Sequence, residues 1–140
     1  LQVTDTNHGG LTDAWLLRLN AKGQKIWDLM LGSGEEDILW SGVTLTDNSI
    51  VLVGHTNADS ANGTVSQGNF GPLYTFDGWI VKVDNGGNIL WDRRHGGGGG
   101  DAFAGIALAP DRGFWVTGAL DSLGLYPTIN DTIPRGGQDI

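Results

Sequence analysis

Two stretches of this 140-residue chain carry nearly the same text: residues 19–37 read LNAKGQKIWDLMLGSGEED and residues 83–101 read VDNGGNILWDRRHGGGGGD. Residues 13–58 lie over 77–122 without a gap, at an offset of 64, and ten of the 46 pairs are identical. These are Asp13/Asp77, Trp15/Trp79, Gly23/Gly87, Trp27/Trp91, Asp28/Asp92, Gly32/Gly96, Gly34/Gly98, Asp37/Asp101, Asp47/Asp111 and Gly54/Gly118. Many other pairs keep their chemical class, such as Leu16/Ile80, Arg18/Lys82 and Ile26/Leu90. The ends repeat as well. VTDTNHGGLTDA (3–14) lies over INDTIPRGGQDI (129–140), so a third copy starts 62 residues after the second. Repetition at a fixed period of about sixty residues constrains the fold more than any other feature here. It calls for copies of one unit set side by side, as in a propeller, a solenoid or an array.

The unit itself reads as β-structure. Short runs rich in β-branched and aromatic residues alternate with turn residues, without sustained helical periodicity. The first copy offers AWLLRL (14–19), KIWDLML (25–31), ILWSGVTL (38–45) and IVLVGHT (50–56). The second offers GWIVKV (78–83), NILWDRR (88–94), AFAGIALA (102–109) and FWVTGA (114–119). Gly23 and Gly87 can supply a positive φ in the hairpins NAKGQ and DNGGN. In DNS (47–49) and DRG (111–113) the aspartate can bond the amide two residues on. Four strands per repeat joined by antiparallel turns match one propeller blade. The expected fold is therefore all-β, with about two blades' worth of a larger propeller in residues 1–140. Residues 13–31 form an outer half-blade, 38–95 a complete blade and 102–119 an inner half-blade. Long loops fall at 57–76 and 120–138. A propeller closes with roughly 4–8 blades, and the chain opens on Leu1 rather than Met. It is thus expected to be a piece of a longer chain, or to pair with other copies through its open blade edges.

Composition removes several classes of function. Net charge is −8 with no basic run, which excludes a phosphate-backbone partner and so nucleic acid. No stretch approaches ~18 apolar residues, so no membrane insertion is expected. There is no cysteine, hence no disulfide and no thiolate metal site.

The repeated residues read as structure. Trp15, Trp27, Trp79 and Trp91 are expected to fill the space between adjacent sheets, where one buried indole removes ~150–250 Å² from water. GSGEED (32–37) and GGGGGD (96–101) are followed by strands rather than helices and lack GK[ST], so they do not make a phosphate cradle. Asp37 and Asp101 are expected to bond the amides of these loops. His8, His55 and His95 have no histidine at their repeat partners and suggest neither a metal site nor a Ser/His/Asp triad.

Residues that break the repeat are the better functional candidates. Trp40 and Trp115 stand opposite Ala104 and Val51. With Phe70, Tyr74 and Tyr126 they could stack on a ligand such as a sugar face. In the loop TNADSANGTVSQGN (56–69), Asn57, Asp59 and Asn62 offer hard oxygens of the kind calcium takes, although their spacing misses the EF-hand frame. No other cofactor is expected.

DAWLLRLNAKGQKIWDLMLGSGEED and DGWIVKVDNGGNILWDRRHGGGGGD resemble the tandem β-propeller repeats of secreted and cell-surface bacterial proteins of the Bacteroidota type, often exported by type IX secretion. The shared pattern is D-x-W with a hydrophobic strand, a D/N-x-x-G turn, an N-I-x-W strand and a G-G-x-x-x-D loop. VLVGHT and WVTGAL then match its V-x-G strand. VTDTNHG (3–9) and VSQGNFG (65–71) match its linking loop. The third copy departs from it at Ile133 and Arg135. The stretch KGQKIW is also similar to the tryptophan-docking motif of quinoprotein propellers, without their cofactor ligands. The resemblance implies an extracellular or cell-surface protein and assigns no chemistry. The expected function is a non-enzymatic scaffold and binding platform, with protein or glycan met at the loops. A carbohydrate-binding propeller and a self-assembling ring or fibre subunit are the alternatives.

Overall fold

The computed structural model of the chain describes residues 3–121. It contains eight strands: β1 (Ala14–Leu19), β2 (Lys25–Leu31), β3 (Asp37–Thr44), β4 (Ile50–Thr56), β5 (Asp77–Val83), β6 (Ile89–His95), β7 (Ala102–Leu108) and β8 (Phe114–Ala119). Each lies within a residue or so of a run expected from the sequence. The described residues contain no helix. All pairings between the strands are antiparallel, and the strands form a leading pair β1–β2, a central sheet β3-β4-β5-β6 and a trailing pair β7–β8. None of the three sheets closes on itself. The expected loop 120–138, Tyr126 and the third repeat copy lie outside the described residues, apart from the first two positions of that loop.

The reversals use the turn residues of both copies in the same way. Asn20 Oδ1 accepts from the amides of Lys22 and Gln24 at 2.9 and 3.0 Å. Asp84 Oδ1 accepts from Gly86 and Asn88 at 2.8 and 2.9 Å. Gly23 and Gly87 then turn the chain at φ 75° and 92°, a region open to glycine without a Cβ clash. In the other hairpin, Asp47 and Asp111 each accept the amide two residues on at 2.9 Å.

The inner strands share a further irregularity. The β3–β4 register shifts between Leu39 and Ser41, and the β7–β8 register shifts between Phe103 and Gly105. Trp40 and Ala104 are therefore the bulged residues, at equivalent places. Opposite each bulge the backbones come so close that a Cβ on Gly54 would lie 1.9 Å from the Ile38 carbonyl oxygen, and one on Gly118 would lie 2.0 Å from that of Ala102. The glycine of V-x-G thus marks a close backbone approach.

The central sheet is covered on both faces. Leu52, Trp79, Val81 and Val83 form a buried cluster with Leu31, Ala58 and Val65, and Ala14, Leu16, Trp27 and Leu29 of the leading pair pack against it. Val51 and Val53 alternate with Leu52 and are also fully buried. They point to the opposite face, where β4 meets β7. On that side the ring of Phe103 sits directly over Gly78.

This layering explains why the tryptophans do not behave alike. Trp79 is 0% exposed, but its repeat partner Trp15 is 48% exposed. Trp79 faces back toward the leading pair. Trp15 faces the same way from the leading pair, where no further described sheet covers it. Trp27 packs over Gly87 of the central sheet and donates from Nε1 to the Asn85 carbonyl at 3.1 Å. Only one of the four indoles is fully enclosed, which corrects the expectation that all four are.

Candidate functional site

The polar residues that recur build one framework twice. Asp28 accepts the Thr4 amide at 2.9 Å, and Asp92 accepts the Ser66 amide at 3.0 Å. Asp5 accepts the Met30 amide at 2.8 Å, and Gln67 accepts that of Arg94 at 2.9 Å. Asp13 takes the His8 amide at 2.6 Å, and Asp77 that of Phe70 at 3.1 Å. At the crossovers Asp37 takes the Ser33 amide and Asp101 the Gly97 amide, both at 2.6 Å. These last two bonds are the loop-amide role expected for Asp37 and Asp101. The first two kinds of link tie a loop to β2 or β6, and the last two tie it to the start of the strand that follows.

Within that framework sit two buried carboxylate pairs. A Cβ on Gly32 would lie 2.4 Å from Asp13 Oδ1 and 2.9 Å from Asp37 Oδ2. One on Gly96 would lie 2.2 Å from Asp77 Oδ1 and 2.7 Å from Asp101 Oδ2. The glycine leaves room for two carboxylates. Burial pushes both Asp37 and Asp77 up, and the neighbouring Asp13 and Asp101 add to the rise. Hydrogen bonds to Thr56 and Ser33 hold Asp37 down, and Phe70 and Arg94 hold Asp77 down.

The two copies bring a nitrogen-bearing side chain to these pairs by different routes. Arg94 is 1% exposed and reaches Asp77 Oδ2 at 2.6 Å, while also donating to the carbonyls of Ala58 and Gln67 at 2.5 and 3.0 Å. Its repeat partner is Met30, which carries no charge. In the first copy His8 Nδ1 lies 3.4 Å from Asp13 instead, where the second copy has Phe70. Each pair keeps one nitrogen-bearing side chain beside it, and its position in the sequence is exchanged.

The loop 57–76 carries the residues considered for calcium and for ligand contact. Asn57 Oδ1 accepts the Glu36 amide at 2.7 Å, and Asp59 Oδ1 accepts the Tyr74 amide at 3.2 Å. Asn62 exchanges backbone bonds with Val65 at 2.9 Å. Two of the three oxygens therefore serve separate backbone amides. Among the described residues no group of three or more His, Asp or Glu side chains is placed to hold a metal. Further along, Phe70, Leu73 and Tyr74 are 37%, 64% and 70% exposed. Tyr74 takes φ 69°, which is rare for a residue with a bulky side chain. Asn69 Nδ2 and Thr75 Oγ1 both donate to the Pro72 carbonyl at 2.8 Å and fix this tip.

A signal for the tip was present in the sequence. GPLYTF (71–76) stands where the first copy has GGLT (9–12), so the offset steps from 62 to 64 across it. Leu73 lies over Leu11, and Tyr74 thus opens a two-residue insertion that residue-by-residue matching of the copies passes over.

Trp40 and Trp115 are 60% and 66% exposed. They are not brought together. Trp115 alternates with Val116 on the trailing pair's outer face, the place Val51 holds in the central sheet. Trp40 stands on the β3 bulge, beside a groove of about 370 Å³ lined by Asp13, Trp15, Asp37, Leu39, Trp40 and Leu52 among others. At the equivalent junction Phe103 covers Gly78. Here the smaller Leu39 faces Ala14, and the space stays open. His55, 9% exposed, packs edge-on to Phe76 at 4.6 Å and lies 6.1 Å from Trp40. Burial pushes its imidazole down, although Glu36 and Asp37 favour the charged form.

Comparison of the sequence with protein-family models and with curated proteins returns no match.

Proposed function

We propose that the chain is a segment of a non-enzymatic β-propeller, extracellular or at a cell surface, that acts as a scaffold and binding platform. The reading is carried by one observation: the recurring aspartates hold the same loops to the same strands in both copies. A four-stranded antiparallel sheet stacked face to face between two strand pairs is also the arrangement blades require. The aromatic residues that depart from the repeat lie at the surface, on the β3 bulge and on the inserted loop tip. Tyr74→Ala and Trp40→Ala are expected to leave the strand signal in circular dichroism unchanged while removing binding to a protein or glycan partner. Turnover of any substrate by the purified chain, lost on substituting Asp13, Asp37 or His55, would overturn the non-enzymatic reading.

The groove supports a second reading, carbohydrate binding. Trp40 offers an open indole face beside it, and indole faces suit the apolar faces of sugars. A glycan panel probed with the chain and with Trp40→Ala separates the two readings. Binding that depends on Trp40 favours the sugar site, and silence across the panel leaves the scaffold.

A further inference from the structure

The central sheet contains a template for an interface that, among the described residues, the strand pairs at either end leave unmade. Inside it β4 pairs with β5 in the register Ile50↔Val83, Leu52↔Val81, Gly54↔Trp79 and His55↔Gly78. By the repeat, β8 is the counterpart of β4 and β1 is the counterpart of β5. Among the described residues β8 pairs only with β7, and β1 only with β2. The chain therefore carries both halves of a pairing that it makes once internally. The edges of β3 and β6 are different, since these strands are the outermost ones even in the four-stranded sheet.

We infer that a second copy of this chain docks its β1–β2 pair onto β8, head to tail, and completes a four-stranded sheet. The register follows from the internal one: Phe114↔Leu19, Val116↔Leu17, Gly118↔Trp15 and Ala119↔Ala14 of the second copy. A one-residue slip would turn every side chain to the wrong face, so the register is a sharp claim. The side chains agree with it. Trp15 of the second copy would face the central sheet as Trp79 faces the leading pair, and would lose its 48% exposure. Trp27 already donates to the Asn85 carbonyl of the next sheet's hairpin. Trp91 is its counterpart and would meet the hairpin carbonyl of Ala21 in the second copy. Because the two edges differ, the contact is heterologous and can propagate into rings or filaments. The inference rests on the repeat and the observed register, and ring closure into a propeller is not required for it.

The chain has no cysteine, so introduced thiols report cleanly. Ala14→Cys and Ala119→Cys chains, mixed and oxidised gently, are expected to join as a mixed disulfide. Yield should be about tenfold or more above Ala14→Cys mixed with Leu120→Cys, whose side chains would point to opposite faces. A chain carrying both Ala14→Cys and Ala119→Cys is expected to give a ladder of covalent oligomers. Sedimentation of the unmodified chain should show mass rising with concentration, with Trp15 becoming protected from a soluble quencher. A monomer at every concentration without cross-linking overturns the inference, as does equal yield from the shifted pair. A monomer whose β8 edge amides are protected from exchange would also overturn it, by showing that the chain's own residues cover that edge.

Discussion

The same residue type at equivalent positions has different energetic weight, because the sheets around it differ. Trp79 is enclosed and donates from Nε1 to Asp92 at 3.0 Å. Its removal leaves a cavity and a buried acceptor short of a donor. Trp79→Ala is expected to cost about 3–5 kcal/mol, whereas Trp15→Ala in the dilute chain costs about 1 kcal/mol or less, as for other half-exposed sites. Urea midpoints of the two variants check this, and equal losses would contradict the layering. The exchange of Arg94 for His8 gives a second test. Arg94→Met places the first copy's residue in the second and leaves Asp77 buried without its charge partner, at an expected cost of about 3–5 kcal/mol. Adding Phe70→His supplies the other half of the first copy's arrangement. The double variant is expected to recover about 1 kcal/mol of that loss, read as the coupling in a double-mutant cycle. Strict additivity would mean that the imidazole does not replace the guanidinium. Recovery is partial because Arg94 also holds the carbonyls of Ala58 and Gln67.

At the scale of strands and crossovers, glycine and aspartate fix the geometry. A methyl group on Gly54 would collide with the Ile38 carbonyl, whereas nothing lies within 4 Å of a Cβ on Gly100. Gly54→Ala is expected to lose at least ~2 kcal/mol through the bulge it distorts, and Gly100→Ala to stay within ~0.5 kcal/mol of the parent chain. The crossover carboxylates add a dependence on pH. Asp37 is raised in the folded chain, first by burial and then by Asp13. A raised carboxyl supports folding below its unfolded value, and that support is lost as pH rises through the folded value. At neutral pH the ionised group therefore weighs against the native state. Asp37→Asn keeps an acceptor for Ser33 and removes the charge. It is expected to be more stable than the parent at neutral pH, with the advantage shrinking as pH falls toward the ordinary carboxylate range. Urea titrations across that range measure it. Much at this scale was legible in the sequence. Turn glycines, turn aspartates and strand runs act through neighbours only a few residues away, so their roles can be read locally. The bulge at Trp40, the exchange of Arg94 for His8 and the groove at Leu39 were not legible, because each depends on which residue a distant strand places opposite. The insertion at Tyr74 falls between: its length was visible, but its strained and exposed conformation follows from contacts with Asp59 and Asn69.

At the scale of the whole chain, protection follows from position in the stack. β4 and β5 are paired along both edges and have a sheet or strand pair packed on each face, so their amides open only when the sheets separate. Val51, Val53, Trp79, Val81 and Val83 on these strands are fully buried. Among the described residues β1 and β8 each have a partner along one edge only, and they present Trp15 and Trp115 to solvent. Amide exchange in the dilute chain is therefore expected to be slowest in β4 and β5, near the global unfolding free energy, and faster in β1 and β8 through local opening. Raising the concentration changes the expectation in a defined way. If a second copy pairs β1 with β8, those two strands gain protection together, while β3 and β6, outermost even in the four-stranded sheet, gain none. Shielding that spreads equally over β3, β6, β1 and β8 would indicate nonspecific association, and the β4–β5 register would then not be the template for contact between chains.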